Sequence, residues 1–398
     1  MEKRRVYLDY AATTYLDKEV LKEMSPYFTD VFGNANSQHL FGRDAAKAVA
    51  EARVKIAEII GSKPNEIYFT SGGTEADNWA IKGIAAAYEG LGKHIITSAV
   101  EHHAVLETCK ALEKKGFEVT YVPVGSDGVL DLKAFENAIR DDTILVSIMY
   151  ANNEIGTVMP IQEAVAIVKK QNHRIYFHTD CVQAAGALDI DVNKSGVDLM
   201  SVSAHKFYGP KGIGFLYIKN GVKLDKLISG GNQERKMRGG TLNVPHIVGM
   251  AKAFELASLH REKNNAHIQS LRDGFIDRIL SEIDNVYLNG SREKRLPGNA
   301  NLSFEYIEGE SLLMSLDLEG IAASSGSACS SGSLDPSHVL LALGIKIELA
   351  HGSLRFSFGK STTRKDVDYT VDCLKDIVNR LRAMSPLFYQ LPSKKTNV

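Results

Sequence analysis

The sequence predicts an α/β protein: a large domain with a mostly parallel sheet flanked by helices, and a smaller α+β domain toward the C-terminus. Three observations carry this. Short β-prone runs alternate with helix-period runs through most of the first 250 residues. The alternation stops beyond that point, where helix and strand mix without a regular order. Finally, the polar residues Thr74, His102, Asn153, Asp180, Ser203 and Lys206 all fall where predicted strands end, the edge at which open parallel sheets collect ligands.

The elements follow in order. Ala45, Ala48, Val49, Ala52, Ile56 and Ile59 share one face at helical spacing and predict a helix over residues 43–60. A short strand, Ile67–Thr70, leads through the turn SGGTE at 71–75 into a helix over residues 76–88. Further strands are predicted at His94–Ser98, Glu118–Val122, 144–150, 175–178, 199–202 and Gly214–Ile218. Helices at 103–115, 132–139 and Ile161–Gln171 fit between them. One long helix over 248–265 is expected to connect the domains. Strands at 300–304 and 354–358 and helices at 311–318 and Arg364–Met384 complete the second one. The expected division is residues 15–255 for the large domain, 1–14 with 256–385 for the small one, and 386–398 as a polar tail.

Composition narrows the function. The 398 residues are 44% hydrophobic and 24% charged, as for a globular protein with a sizeable core. A net charge of −1 leaves no electrostatic footprint for nucleic acid. The 4 cysteines are widely spaced and form no CxxC pair, so no metal site is expected and a reducing compartment suits them. No apolar stretch resembles a signal peptide or a membrane span. The expectation is a cytoplasmic enzyme with no membrane partner.

The most informative run is SVSAHK at 201–206, a strand that ends by presenting Lys206. A lysine there could form a Schiff base with pyridoxal 5'-phosphate, whose ring acts as an electron sink. Asp180, ending another apolar strand, could pair with the protonated pyridine nitrogen. The plain alternatives are a solvated loop lysine and a turn-forming aspartate. The turn at 71–76 could bind a phosphate, because Gly73 permits close backbone approach, Thr74 adds a hydroxyl, and a helix N-terminus favours an anion. Its alternative is a capped glycine turn. Ser203 and His205 could add donors. His102 could stack on the ring and move protons near neutral pH, with His103 as rival. Gln183 could reach the ring hydroxyl or sit on a helix face. Arg355 could clamp a substrate carboxylate, where a fork of donors favours arginine, or make a structural ion pair. The glycine-rich cationic run at 230–241 could approach the phosphate or structure a dimer interface.

A second distinctive run is SSGSACSSGS at 324–333, in which every residue but Ala328 and Cys329 is Ser or Gly. Such a stretch packs no core, so Cys329 is expected to be exposed, the setting of a reactive thiol rather than an inert buried one.

Together these runs resemble a known family. YLDYAAT at 7–13, FTSGGTE at 69–75, Glu101-His102, NNEIG at 152–156, HTDCVQ at 178–183, SAHKFYGPKG at 203–212, ERKMRGGT at 234–241 and SGSACS at 325–330 are similar to cysteine desulfurases of the NifS/IscS type, in the class V aminotransferase group of fold-type I pyridoxal-phosphate enzymes. The resemblance spans the chain to about residue 385. It implies that Lys206 carries the cofactor, Asp180 faces its nitrogen and His102 stacks on its ring. Thr74, Ser203 and His205 would bind the phosphate, with Thr241 reaching in from a neighbouring subunit of a homodimer. Asn153 and Gln183 would touch the ring, and Asn153 with Arg355 the carboxylate of L-cysteine. Lys206 would remove the Cα proton and Cys329 would take the sulfur as a persulfide, then hand it to an acceptor protein such as an iron–sulfur scaffold. A selenocysteine lyase, another class V lyase or an aminotransferase is the alternative. Two departures stand out. Cys181 takes a place where the family commonly has a small residue such as alanine. The tail beyond residue 385 is shorter than the ending used in scaffold docking.

Overall fold

The computed structural model describes residues 4–325, 336–385 and Phe388. Cys329 and the polar tail lie outside the described residues. The first strand, β1 (Val6–Tyr7), does not join the large sheet. The strands β2 (Ile67–Thr70), β3 (His94–Ser98), β4 (Glu118–Val122), β5 (Thr143–Ser147), β6 (Tyr176–Asp180), β7 (Leu199–Ser203) and β8 (Gly214–Ile218) do, in the order β2-β8-β7-β6-β5-β3-β4. The run β7-β6-β5-β3-β4 is parallel, and β8 alone runs against its neighbours. Every residue of β3, β5, β7 and β8 is buried, because helices cover both faces.

Helix Leu40–Ile60 starts three residues before its predicted start at residue 43, capped by the His39 imidazole, and ends at Gly61, whose φ of 71° suits a left-handed C-cap. It packs its buried face on helix Val244–Leu259 over one face of the sheet. Helix Gly73–Tyr88 packs the opposite face with Trp79, Ile81 and Ile84 fully buried.

The second sheet is antiparallel. It contains β9 (Val286–Leu288), β10 (Asn299–Phe304), β12 (Ser324–Ser325) and β13 (Ser353–Ser357), in the order β12-β13-β10-β9. A further strand, β11 (Ile321–Ala322), pairs in parallel with β1, which draws the N-terminus to the C-terminal elements. This region has its own core, including Phe275, Phe304, Phe356 and Leu374 under helices Arg261–Glu282 and Arg364–Met384.

Three local expectations change. The single helix over 248–265 is two, Val244–Leu259 and Arg261–Glu282, because His260 leaves helical geometry at φ −103° and ψ 8°. The helix after the glycine turn begins at Gly73 rather than at residue 76. Strand β5 is bounded at Ser147, although the Ile148 and Tyr150 N–H groups still donate to the His178 and Asp180 carbonyls of β6 at 3.1 and 2.8 Å; the chain then reaches Asn152, whose side chain accepts the N–H groups of Glu154 and Ile155.

Candidate active site

The carboxyl ends of β2, β3, β5, β6 and β7 surround a cavity of about 290 Å³. Gly73, Thr74, His102, Asn153, Asp180, Gln183, Ser203, His205, Lys206 and Arg355 all line it, so ten of the sequence-predicted residues meet in one place. Thr241 does not. It is exposed and outside the cavity of its own chain. His103 also stays outside, with its ring centroid 4.9 Å from that of His338, whereas His102 lines the cavity.

Lys206 ends a 3-10 turn, Ala204–Lys206, directly after β7. Its Nζ donates to the carbonyls of Ala11 at 2.7 Å and Ala12 at 2.8 Å, a pair of acceptors that suits a protonated amine. The N-terminal YLDYAAT run thus closes one side of the site. Gln183 Nε2 donates to the same Ala11 carbonyl at 3.0 Å.

Asp180 is the last residue of β6, and one of its oxygens accepts the Val182 N–H at 2.8 Å. Burial pushes its carboxyl up to about 6, against the pull of the Val182 N–H and the Lys206 charge, so it is ionised at neutral pH. His102 caps helix His103–Glu113 by accepting the Ala104 N–H on Nδ1 at 3.1 Å. That bond makes Nδ1 an acceptor and leaves the proton on Nε2. Burial, with the Lys206 charge behind it, lowers the imidazole to about 4 and keeps it neutral.

At the other end, Ser71, Gly72, Gly73, Thr74, Ser203, His205 and Lys211 enclose a continuation of the cavity at the N-terminus of helix Gly73–Tyr88. A Cβ on Gly73 would stand 2.5 Å from Val182 Cγ2, so glycine lets the turn come this close to the segment that follows β6. Ser71 N–H donates to Glu75 at 2.7 Å, and Arg238 holds the same carboxylate at 2.9 and 3.0 Å. The turn is therefore braced from outside.

Arg355 arrives from β13 of the second sheet and is 3% exposed. It donates to the Asn153 carbonyl at 2.9 Å and to Asp9 at 3.0 Å, and its Nε has no partner among the described residues. The structural ion pair weighed as its alternative exists, yet one donor stays open. On one side of residues 326–335, Ser324 of β12 pairs with Arg355 of β13. On the other, Ser337 donates to Glu154 and His338 contacts the Glu101 carbonyl at 3.0 Å. Both flanks of residues 326–335 are thus anchored beside the cavity.

Sequence reasoning missed the lysine-holding carbonyls of Ala11 and Ala12, the anchors Glu154 and Ser337, and two buried acids, Asp77 and Glu101. Asp77 had a signal: it shares a helical face with Ala76, Ala80, Ile81 and Ile84, where a carboxylate is out of place. Cys181 lies fully buried in the core, as a small filler would.

The pieces fit pyridoxal phosphate. A buried carboxylate faces a lysine, a neutral histidine stands beside them, and a ring of hydroxyls and a helix N-terminus closes the far end. The aminotransferase class-V profile matches residues 6–370, and the chain belongs to that family. Within it, the relatives place the chain among cysteine desulfurases of the NifS/IscS type. The cysteine desulfurase IscS of Dictyoglomus turgidum is 57% identical over 96% of this chain and 97% of its own length. That of Methanosarcina thermophila is 55% identical over 97% and 95%. A solved NifS-like protein superposes with a TM-score of 0.90 at 41% identity, covering 95% of this chain and all 100% of that one. SspA, solved in complex with cysteine, gives 0.79 at 37% identity over 90% and 100%.

Proposed function

We propose that the enzyme takes the sulfur of L-cysteine, releases L-alanine, and carries the sulfur on Cys329 as a persulfide. Lys206 would hold pyridoxal 5'-phosphate, with Asp180 at the pyridine nitrogen, His102 over the ring, Gln183 and Asn153 at its edge, and Gly73, Thr74, Ser203 and His205 at the phosphate. When bound, the cofactor supplies an electron sink for charge developing at the substrate Cα. Asp180 keeps the nitrogen cationic, and burial of its carboxyl excludes water from that contact. Arg355 orients the substrate carboxylate, and its engagement with Asp9 and the Asn153 carbonyl holds the guanidinium plane. Lys206 removes the Cα proton and is well placed to return it. The Cys329 thiolate attacks the substrate sulfur: the S–S bond forms as the Cβ–S bond breaks, Cβ keeps the electron pair, and protonation makes it the methyl group of alanine.

The reading extends to assembly. Thr241 of the partner subunit would complete the phosphate site in a homodimer, and a sulfur-acceptor protein, an iron–sulfur scaffold among the candidates, would collect the persulfide. The division of the chain into residues 15–255 against 1–14 with 256–385 belongs to the same reading. The separate apolar core of the second sheet, which takes in Val6 and Leu8, supports it, although Leu296, Val339, Leu340, Leu343 and Ala350 pack into a core of the large domain.

The observation that carries the proposal is the convergence of Lys206, Asp180, His102 and Arg355 on one buried cavity. The test is alanine and sulfide release from L-cysteine with a thiol reductant, comparing wild type with Lys206→Ala and Cys329→Ala. Both variants are expected to fall by roughly a thousandfold or more. Full cysteine turnover by Cys329→Ala would replace the persulfide route with a lyase-type elimination.

A further inference from the structure

Asp77 plays no part in the reading above, yet it lines the same cavity as Asp180 and is only 1% exposed. Its Oδ1 has no hydrogen-bond partner among the described residues and lies 3.7 Å from Nε2 of His178 on β6. His178 is itself fully buried and engaged on both nitrogens, with Ser147 Oγ at 2.8 Å on Nδ1 and Ser201 Oγ at 2.9 Å on Nε2. Glu101, after β3, is similar to Asp77. Its Oε1 accepts the Ser98 hydroxyl at 2.6 Å and the Met149 N–H at 2.9 Å, while Oε2 has no partner among the described residues.

The charged groups of the cavity floor decide what these acids are. Asp77, His102, Asp180, His205 and Lys206 line it, and Glu101 and His178 lie buried beneath it. Burial keeps all three histidines neutral, His102 and His205 at about 4 and His178 at about 3. It also pushes up the nearby thiols, Cys181 and Cys109, the latter to about 12. Arg355 is already matched by Asp9. Among the described residues of the floor, Lys206 is then the one cation set against three buried carboxyls, and its charge acts on Asp180. Like charges in a dry site cannot all stay ionised. Asp180 has the claim to the charge, since it accepts a backbone N–H and feels Lys206. Asp77 has neither, only neutral His178 and Ser201 beside it.

We propose that Asp77 is a positioning residue of the active site, a neutral, proton-bearing carboxyl that sets helix Gly73–Tyr88 against His178 of β6 and leaves Asp180 the one anion under the cofactor ring. The inference rests on the pyridoxal-phosphate reading, in which Asp180 faces the pyridine nitrogen. Burial first, and then the charge of Asp180, hold the Asp77 carboxyl well above the usual range.

Apoprotein and reconstituted protein are tested as wild type, Asp77→Asn and Asp77→Leu. The first readout is the melting temperature of the apoprotein between pH 5 and 9. An acid whose pKa is raised by folding stabilises the fold most below its unfolded value of about 4 and loses that contribution as pH rises. The lead of Asp77→Asn over wild type is therefore expected to widen by a few degrees across that range, roughly. A level difference would mean that Asp77 is ionised in the fold and would overturn the proposal. The second readout is pyridoxal-phosphate affinity with the pH midpoint of the bound chromophore. Asp77→Asn, which keeps a neutral hydrogen-bonding group, should stay within about twofold of wild type, and Asp77→Leu should weaken binding by about tenfold or more. Equal weakening by both variants, or by neither, would also overturn it. Failure of wild type itself to bind the cofactor would instead sink the reading beneath the inference. If Asp77→Leu does not fold, the pH dependence of Asp77→Asn still decides.

Discussion

The phosphate end and the floor of one cavity are built on opposite plans. At the phosphate end, Ser71, Gly72, Gly73 and Thr74 are consecutive, and their donors are backbone and hydroxyl groups. The carboxylate there, Glu75, is matched outright by Arg238. On the floor, Asp77, Glu101 and the β6 pair His178 and Asp180 come from three places in the chain and are all buried. The first plan binds an anion chiefly with dipoles that need no change of protonation, beside Lys211 and a His205 that burial keeps neutral. The second holds protons by burial, so its charge state depends on everything packed around it. The lesson is that one pocket can offer a pH-indifferent grip and a pH-sensitive electronic floor.

Three experiments break or sharpen that contrast. The largest effect is expected for Asp180→Ala. Without the anion, nothing keeps the ring nitrogen cationic, and turnover should fall by about a thousandfold or more while the phosphate end still retains cofactor. Cofactor content and turnover measured together separate the two ends. Loss of cofactor in proportion to turnover would show that the floor, too, is chiefly a binding element.

Next comes Glu101→Gln. Burial pushes Glu101 up to about 8, so the folded protein keeps a proton that the unfolded chain releases from about pH 4 upward. Wild-type stability therefore declines as pH rises from about 4 to about 8, and glutamine is exempt. The variant should melt close to wild type at pH 5 and above it at pH 8.5, by on the order of a few kcal/mol at most. Parallel pH profiles would contradict a protonated Glu101.

The smallest effect belongs to Thr74→Val, which removes one hydroxyl from a site rich in donors. Cofactor affinity should drop by about five- to twentyfold, equally at pH 6.5 and 8.5. A strongly pH-dependent loss would remove the distinction between the two ends.

Much of this was legible in the chain. Helical spacing and β-prone runs located the large sheet, since burial on both faces demands continuous apolar strands and leaves polar residues for their ends. Those ends named Thr74, Asp180, Ser203 and Lys206. The break at His260 was not legible, because the run HREKNN at 260–265 holds no proline or glycine to mark a stop and only the local backbone shows the change of axis. Nor was the role of YLDYAAT at 7–13, which works here through the carbonyls of Ala11 and Ala12 on Lys206 and the Asp9 carboxylate on Arg355.

The sequence by itself determined which groups are chemically able to act: a lysine after a strand, a carboxylate at a strand end, glycines before a helix. Those are properties of residue type and of short-range geometry. Only the tertiary structure decided which of them meet. Arg355 reaches the cavity because β13 brings it beside Asn153, 202 positions away in the chain. Likewise, only three-dimensional burial decided which of Asp77, Glu101 and Asp180 keeps its charge. Desolvation and the distance to Lys206 are properties of the assembled fold, with no counterpart in any single stretch of residues.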